Sequence, residues 1–557
     1  LLQLNPQHVN AQYYLALTQI AGENLASGSE VLENLQHNHP DRVDIFKSFV
    51  ESLIRLNAQD KIRALAETEN DSKKLFLLAN TLMENNWPLP AIPVYEKLLA
   101  RTPDNSAYLN NLASAYDSNN DFEKAIDLYK KSIALDPNYA GAYANLGRVL
   151  CDTNQLEQAE TWLRKGLTVD PNDAGLYINL GRVFNFRQDF QQSRKHYQIA
   201  LKLAPNNAIA MYNLGSSYQK TGELALAEKY YQQCLSIAPN HSDAELNLGL
   251  CQLSMGKFNS AWGHYFKRVR QLIHNEQLSP VIPGQDFQGK TVYLCFSQGI
   301  GDELFFLRFI PALKQQNAKV IYRCSRKLFP LLKDHPWLDQ VIDENDAMPA
   351  ADYYFTVDDL PLITAMDAIE KIPTAFPLQL ENNNALDESL QALPRPFIGI
   401  TWRAGLQIEK TNFRNNQTRL SKVFSLDDMI ELFQDFTGTI FVLQRNPQES
   451  ELALLDSKFS NVVNASEYNN DLQKMLSLLA RLDDYVCVSN ANIHLLSGIN
   501  KSAKVLIPYP PEWRWMDTTG NSPWFPMMET YRQSSDGSWT QALNTLKSSL
   551  GSLYNAA

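Results

Sequence analysis

The sequence predicts two fold classes in one chain: an α-helical solenoid in its first half, then an α/β region of doubly wound parallel sheets. Three observations predict it. Prolines recur at 103, 137, 171, 205 and 239, a step of 34 residues. That beat stops near residue 285, where short β-branched and aromatic runs begin to alternate with amphipathic stretches. The chain has 557 residues, too many for a single hydrophobic core.

Other residue types keep the same period. Leu112, Leu146, Leu180, Leu214 and Leu248 are each followed by a small residue, Ala113, Gly147, Gly181, Gly215 or Gly249. Tyr95, Tyr129, Tyr197, Tyr231 and Tyr265 share the step, with Leu163 filling the gap. A 34-residue helix-turn-helix period of this composition is the tetratricopeptide pattern. The small residue lets the first helix of each repeat pack closely on the second, the aromatic fills the groove, and proline ends the second helix. Pro6 and Pro40 continue the phase upstream, residues 40–72 form a short irregular repeat, and 242–275 a last one without its closing proline. About eight helix pairs, stacked over residues 1–275, present a long concave wall of the kind that binds extended protein segments.

Asn111, Asn145, Asn179, Asn213 and Asn247 precede the repeat leucines. On the concave helix these amides form a ladder that either hydrogen-bonds an acceptor polypeptide or bonds neighbouring turns. The ladder resembles that of protein O-linked N-acetylglucosamine transferases.

Residues 276–290 read as a linker. Beyond it the predicted strands are 291–296, 319–324, 397–402, 439–444, 485–489 and 504–509, with helices in "SLDDMIELFQDF" and "DLQKMLSLLARL" between them. The interval 373–396 is polar and holds four prolines. It divides the region into one lobe over 291–380 and another over 397–557, with 381–396 as the joint. Ligands of such sheets bind outside the carboxyl ends of the strands. "SQGIGDELFF" is the first β–α turn. It lacks the Gly-Lys-Ser/Thr ending of a triphosphate loop and has only Gly299 and Gly301 of a dinucleotide fingerprint. Asp302 opens the following helix, as a cap or as a general base. "TWRAG" brings Arg403 to the end of a strand. "VSNANIHLLSG" opens a helix whose free amides, capped by Ser489 or Asn490, form an anion site. His494, one turn further, is a packed residue or a ligand contact. "PYPPEWRWM" and "NSPWFP" form a rigid wall for a base or sugar, or a packed corner.

Composition narrows the function. A formal charge of −11 excludes broad phosphate-backbone binding but not a local site for one phosphate. Six cysteines without paired short spacing imply neither a disulfide framework nor a zinc knuckle, and hence a reducing compartment. No apolar run reaches the roughly 18 residues that read as a membrane span. Leu1 in place of methionine implies a fragment, so a targeting segment upstream stays open.

"GIGDELFFLRFIPALK", "SNANIHLLSG" and "IPYPPEWRWM" with its downstream "SPWFP" resemble the tetratricopeptide-linked glycosyltransferases akin to glycosyltransferase family nine, the group of the lipopolysaccharide heptosyltransferases. Within it the bacterial flagellin glycosyltransferases have this layout. The resemblance implies a GT-B fold of two Rossmann-like domains and an inverting, metal-independent transfer without cofactor. It implies Asp302 as catalytic base. Donor contacts fall on Gln298, Gly299, Gly301, Arg403, Gln444, Ser489, Asn490, Asn492 and His494. Ser489 stands where the family carries aspartate, which puts the donor's identity in doubt. The implied donor is a nucleotide sugar, a nonulosonic acid such as pseudaminic acid as its CMP derivative. The implied acceptor is a flagellin-like protein on the solenoid wall, and the implied location of the chain is the cytoplasm. Transfer to a carbohydrate acceptor and a non-catalytic adaptor are the rival readings.

Overall fold

The computed structural model describes residues 8–22, 24–272, 278–296, 299–404, 422–516 and 520–554. These group into two compact units that divide between Pro205 and Asn206.

The first unit is six antiparallel helix pairs. They run Val9–Ala21 with Leu25–Asn38, Val43–Arg55 with Gln59–Thr68, Ser72–Glu84 with Pro88–Arg101, Ser106–Ser118 with Phe122–Leu135, Ala140–Asp152 with Leu156–Val169, and Ala174–Phe186 with Phe190–Leu203. The periodic small residues act as expected. A β-carbon on Gly147 would stand 2.3 Å from Leu163 Cδ2, and one on Gly181 2.4 Å from the Tyr197 ring. Even one methyl group at these positions forces the helices apart. Leu163 and Tyr197 are themselves buried.

A further 34-residue signal lies in the turns inside the repeats. Asn86, Asn120, Asn154 and Gln188 all hold left-handed backbone, with φ of 60°, 63°, 59° and 62°. The equivalent positions of the second unit are Gly222 and Gly256. Asparagine and glycine tolerate this region and glutamine does not. Gln188→Gly is therefore expected to stabilise the chain by about 1 kcal/mol. Urea unfolding followed by circular dichroism checks it, and an unchanged or lower midpoint refutes it.

The second unit starts with two more helix pairs, Ala208–Gln219 with Leu224–Ile237 and Ser242–Ser254 with Phe258–Leu272. The compact-unit boundary thus falls inside the helical region. Phe258, Trp262, Tyr265 and Phe266 of the last helix share one hydrophobic core with both sheets that follow. Gly222 shows how close the approach is, since a β-carbon there would stand 2.1 Å from the Tyr509 hydroxyl.

The first sheet contains β1 (Thr291–Cys295), β2 (Lys319–Cys324), β3 (Gln340–Asp343) and β4 (Tyr353–Thr356), all parallel, in the order β3-β2-β1-β4. The second contains β5 (Phe397–Thr401), β6 (Thr439–Val442), β7 (Val462–Asn464), β8 (Asp484–Val488), β9 (Lys504–Ile507) and β10 (Glu529–Arg532), all parallel, in the order β10-β9-β8-β5-β6-β7. The central strand β5 is buried throughout, as helix-covered parallel sheets require. Between the sheets, the Pro-rich joint includes a helix, Asn384–Leu390. Leu378 there donates its N–H to the Gly498 carbonyl at 2.8 Å. The direction in which successive strands are added reverses between β1 and β4 in the first sheet and between β5 and β8 in the second. Such switch points open the crevices where ligands of parallel sheets bind.

Candidate functional site

The turn after β1 reaches helix Ile300–Phe306 through Gly299, whose φ of −78° and ψ of 165° are extended backbone. Neither Gly299 nor Gly301 is left-handed. Gly301 faces the second sheet's helix Ala491–Gly498, and a β-carbon on it would make an ordinary 3.6 Å contact with His494 Cδ2 and Nε2. Gln298 lies outside the described residues.

Asp302 stands in the first turn of this helix. Its Oδ1 accepts a charge-assisted hydrogen bond from Arg514 Nη2, 212 residues away in the loop after β9. The other edge of that guanidinium, Nη1, donates to Glu512 Oε1. Glu512 Oε2 in turn meets Lys422 Nζ at 2.6 Å and accepts from Ser489 Oγ at 3.4 Å. A line of alternating charge, Asp302–Arg514–Glu512–Lys422, therefore crosses from the first sheet to the second. The Arg514 side chain is only 10% exposed, whereas Asp302 keeps 28%. The guanidinium lies over the rings of Phe305 and Trp513, 4.7 and 4.6 Å from their centroids.

The electrostatics follow from this geometry. Burial alone would raise the Glu512 carboxyl, but Lys422 and Arg514 outweigh it and hold it well below the usual carboxylate range. Burial opposes the charge on Arg514, yet Asp302 and Glu512 together hold its pKa above the ordinary value. His494 sits edge-on to Phe305 and Phe525. Burial, reinforced by Arg514 and Arg308, pushes its imidazole well below the usual value and keeps it neutral at pH 7. Its Nδ1 is buried without a hydrogen-bond partner among the described residues.

Arg308 locks the loop that carries Arg514. It is 2% exposed, donates from Nη1 to the Trp524 carbonyl at 2.9 Å and lies 4.2 Å over the Phe305 ring. Trp524 N in turn donates to Ser522 Oγ at 3.1 Å, and Ser522 Oγ to the Arg514 carbonyl. The "WRWM" and "SPWFP" stretches thus form a packed corner, and that corner fixes the charged line.

Several expected ligand contacts are engaged elsewhere. Arg403 is expected to meet an anion; instead its Nη1 is committed to Glu451, and Nη2 to the Asn446 carbonyl at 3.0 Å. Glu451 closes a capping box on helix Glu449–Lys458, so this pair secures the start of a helix. Gln444 is buried and accepts from Arg403 N at 3.0 Å. Asn490 caps its own helix, with Oδ1 accepting from Asn492 N at 2.8 Å, and its Nδ2 donates to the Tyr485 hydroxyl and the Val488 carbonyl. Asn492 Nδ2 also donates to Tyr485 at 3.3 Å. Ser489 alone of this group joins the charged line.

The asparagine ladder is mostly internal too. Asn111 donates to Asn80 Oδ1, Asn145 to Asn110 Oδ1, Asn179 to the Ala144 carbonyl and Asn247 to the Tyr212 hydroxyl, at 3.3, 3.1, 2.9 and 3.4 Å. Each donation reaches the preceding repeat, so the amides fasten repeats together. Asn213 is buried at the equivalent position.

Sequence reasoning missed Arg514, Glu512, Lys422 and Arg308. The one local signal is the Glu-x-Arg pair of "PPEWRWM", an acid and a base two residues apart inside an apolar stretch. A cavity of about 370 Å³ also opens at the carboxyl ends of β1 to β3, lined by Cys295, Phe296, Arg323, Glu344 and Asn345. Among the described residues, no three His, Cys, Asp or Glu side chains stand together as metal ligands, and no helix is long and apolar enough to cross a membrane.

Comparison with known proteins bears on the helical half. Family models described as tetratricopeptide repeat match residues 76–140, 118–180 and 172–240. Residues 76–240 are tetratricopeptide repeats. Protein FlbA of Caulobacter vibrioides is 23% identical over 330 residues, covering 54% of this chain and 53% of its own. The chain thus spans about half the length of that curated relative. Among solved structures, the APC/C hetero-tetramer Cut9-Hcn1 is 17% identical and aligns over 50% of this chain and 55% of its own, with a TM-score of 0.35. A thermophilic tetratricopeptide protein of Thermus thermophilus is 23% identical over 33% of this chain and all of its own, with a TM-score of 0.31. The tetratricopeptide period is common to sequence, structure and comparisons, and the parallel sheets after it to sequence and structure.

Proposed function

We propose that the chain is a protein O-glycosyltransferase in which the two sheets form a GT-B pair. Asp302 is the catalytic base, and the tetratricopeptide wall recruits the acceptor protein. The observation that carries this reading is the state of Asp302. It sits at the switch point of the first sheet with Oδ1 held by Arg514 of the second, while Oδ2 has no protein partner among the described residues and the side chain is partly exposed. A fixed carboxylate with one open oxygen suits proton abstraction from a hydroxyl.

The step then runs as a single displacement with inversion. The O–H proton of an acceptor Ser or Thr passes to Asp302. The hydroxyl oxygen's electron pair forms a C–O bond to the anomeric carbon. The bond from that carbon to the phosphate oxygen breaks, and its electrons leave with the nucleotide. The charge developing on the leaving phosphate falls beside Lys422 and the amides that open helix Ala491–Gly498, since Arg403 is committed to Glu451. The donor class is a nucleotide sugar, with CMP-activated pseudaminic acid as the first candidate and flagellin as the first acceptor.

A carbohydrate acceptor is the second reading. The internal commitment of the asparagine amides favours it, because a wall whose donors are spent holds a peptide backbone less well. Intact mass of flagellin co-expressed with and without the chain tests both. A sugar-sized mass gain is expected, and Asp302→Asn is expected to lower turnover about 10²-fold or more. No gain on any protein acceptor refutes protein transfer, and unaltered turnover in the variant removes Asp302 from the mechanism.

A further inference from the structure

One guanidinium holds both carboxylates of the charged line, one at each edge. Its position is fixed from all sides: aromatic rings flank it, its backbone carbonyl accepts from Ser522 Oγ, and Arg308 ties down the loop beside it. Arg514 Nε is buried with no hydrogen-bond partner among the described residues, so the group is committed to Asp302 and Glu512 alone. The charges facing this cluster from neighbouring elements are Lys422 and Arg308, and Tyr265 and the neutral His494 face it as well. A flexible cation at the surface would not need this construction. A group that must hold a reacting carboxylate within a fraction of an ångström would, because a 1 Å error in a reacting geometry costs about 10²-fold in rate.

We propose that Arg514 is the positioning residue of the reaction: by binding Asp302 Oδ1 it turns Oδ2 outward as the atom that takes the proton from the acceptor hydroxyl, with Glu512 and Lys422 holding Arg514 in turn. The inference rests on the transfer reading above. Lysine cannot substitute for Arg514, because an ammonium point charge does not span two carboxylates as a planar fork does.

The test uses the full chain and the donor and acceptor on which the wild type gives a mass gain. Arg514→Ala is expected to lower kcat about 10²-fold and to leave the acceptor KM within about threefold. Guanidinium chloride is expected to restore kcat about tenfold in Arg514→Ala, and neither sodium chloride nor the same treatment of Asp302→Asn to do so. Arg514→Lys keeps the cation should the alanine variant fail to fold, and is expected to lose about tenfold in kcat while retaining the wild-type circular dichroism spectrum. Near-wild-type kcat in a folded variant overturns the inference while leaving the transfer reading intact. So does a loss confined to KM, or rescue by sodium chloride equal to that by guanidinium chloride. A wild-type chain that transfers nothing to any acceptor overturns both.

Discussion

Trp262→Ala is expected to destabilise the second unit by about 3–5 kcal/mol, the range for removing a fully buried large aromatic. Trp262 is 1% exposed on the last solenoid helix and touches aromatics from three sources. Phe258, Tyr265 and Phe266 come from its own helix, at 5.9 to 6.2 Å between centroids. Phe306 comes from the helix that carries Asp302, at 6.4 Å. Trp513 and Trp524 come from the connection between β9 and β10 that also carries Arg514, at 5.8 and 6.3 Å. Most of these pairs are near perpendicular, the arrangement in which a positive ring edge meets a negative face. One side chain therefore joins the end of the solenoid to both halves of the charged line. Urea unfolding by circular dichroism measures the loss, and a loss below about 1 kcal/mol refutes the assignment. Trp262→Phe separates packing from polarity. The indole N–H is buried without a partner among the described residues, so phenylalanine removes an unsatisfied donor while leaving a smaller void. Its loss is expected to be less than half that of alanine.

How far such features could be read from sequence depends on whether they are local. The repeat was legible because packing imposes the same demand every 34 residues: a glycine or alanine on one helix where a leucine or tyrosine on the other must enter. The strands divide cleanly. All six expected strands exist, at 291–295, 319–324, 397–401, 439–442, 484–488 and 504–507. The four that were not expected, β3, β4, β7 and β10, are the outer strands of the two sheets. Edge strands are short and half covered, so they lack the continuous apolar run that marks a central parallel strand. "VVN" and "ETYR" have three and four residues and no diagnostic pattern.

The site divides in the same way. Asp302 was legible in position because a strand, a glycine turn and a helix start lie within about a dozen residues. Arg403 was legible in position but not in partner. A strand end says where a side chain emerges, and Glu451, 48 residues on, decides what it meets. The pairing of Asp302 with Arg514 spans 212 residues and two sheets, and no periodicity encodes it. Glu512 is the clearest case. In sequence it is one acid among 61 acidic residues. In space it is the only described carboxylate that Arg514, Lys422 and Ser489 all reach.

The solenoid contains a second charged line, and Arg148→Ala is expected to cost about 2–3 kcal/mol in the first unit. Arg148, on helix Ala140–Asp152, pairs with Asp117 of the repeat before and with Asp152 at 3.3 Å on its own helix. Asp152 also meets Arg182 of the repeat after, at 2.6 Å. The Asp117 and Asp152 side chains are 2% and 3% exposed, which decides the magnitude. Removing a guanidinium from beside a buried carboxylate costs more than breaking an exposed pair, because water replaces the lost partner less well there. Asp152 retains Arg182. The exposed pair Arg164–Glu160 on the next helix is the control, and Arg164→Ala is expected to cost at most about 1 kcal/mol. Replacing both partners, Asp117→Asn with Arg148→Met, is expected to recover most of the stability, because a buried pair exchanged for a neutral one of similar volume is nearly neutral in free energy. Equal losses for Arg148→Ala and Arg164→Ala in the first unit's urea transition would show that the line is ornamental. Unequal losses would identify it, with the asparagine amides, as what fixes the register between successive repeats and so the shape of the wall offered to a partner.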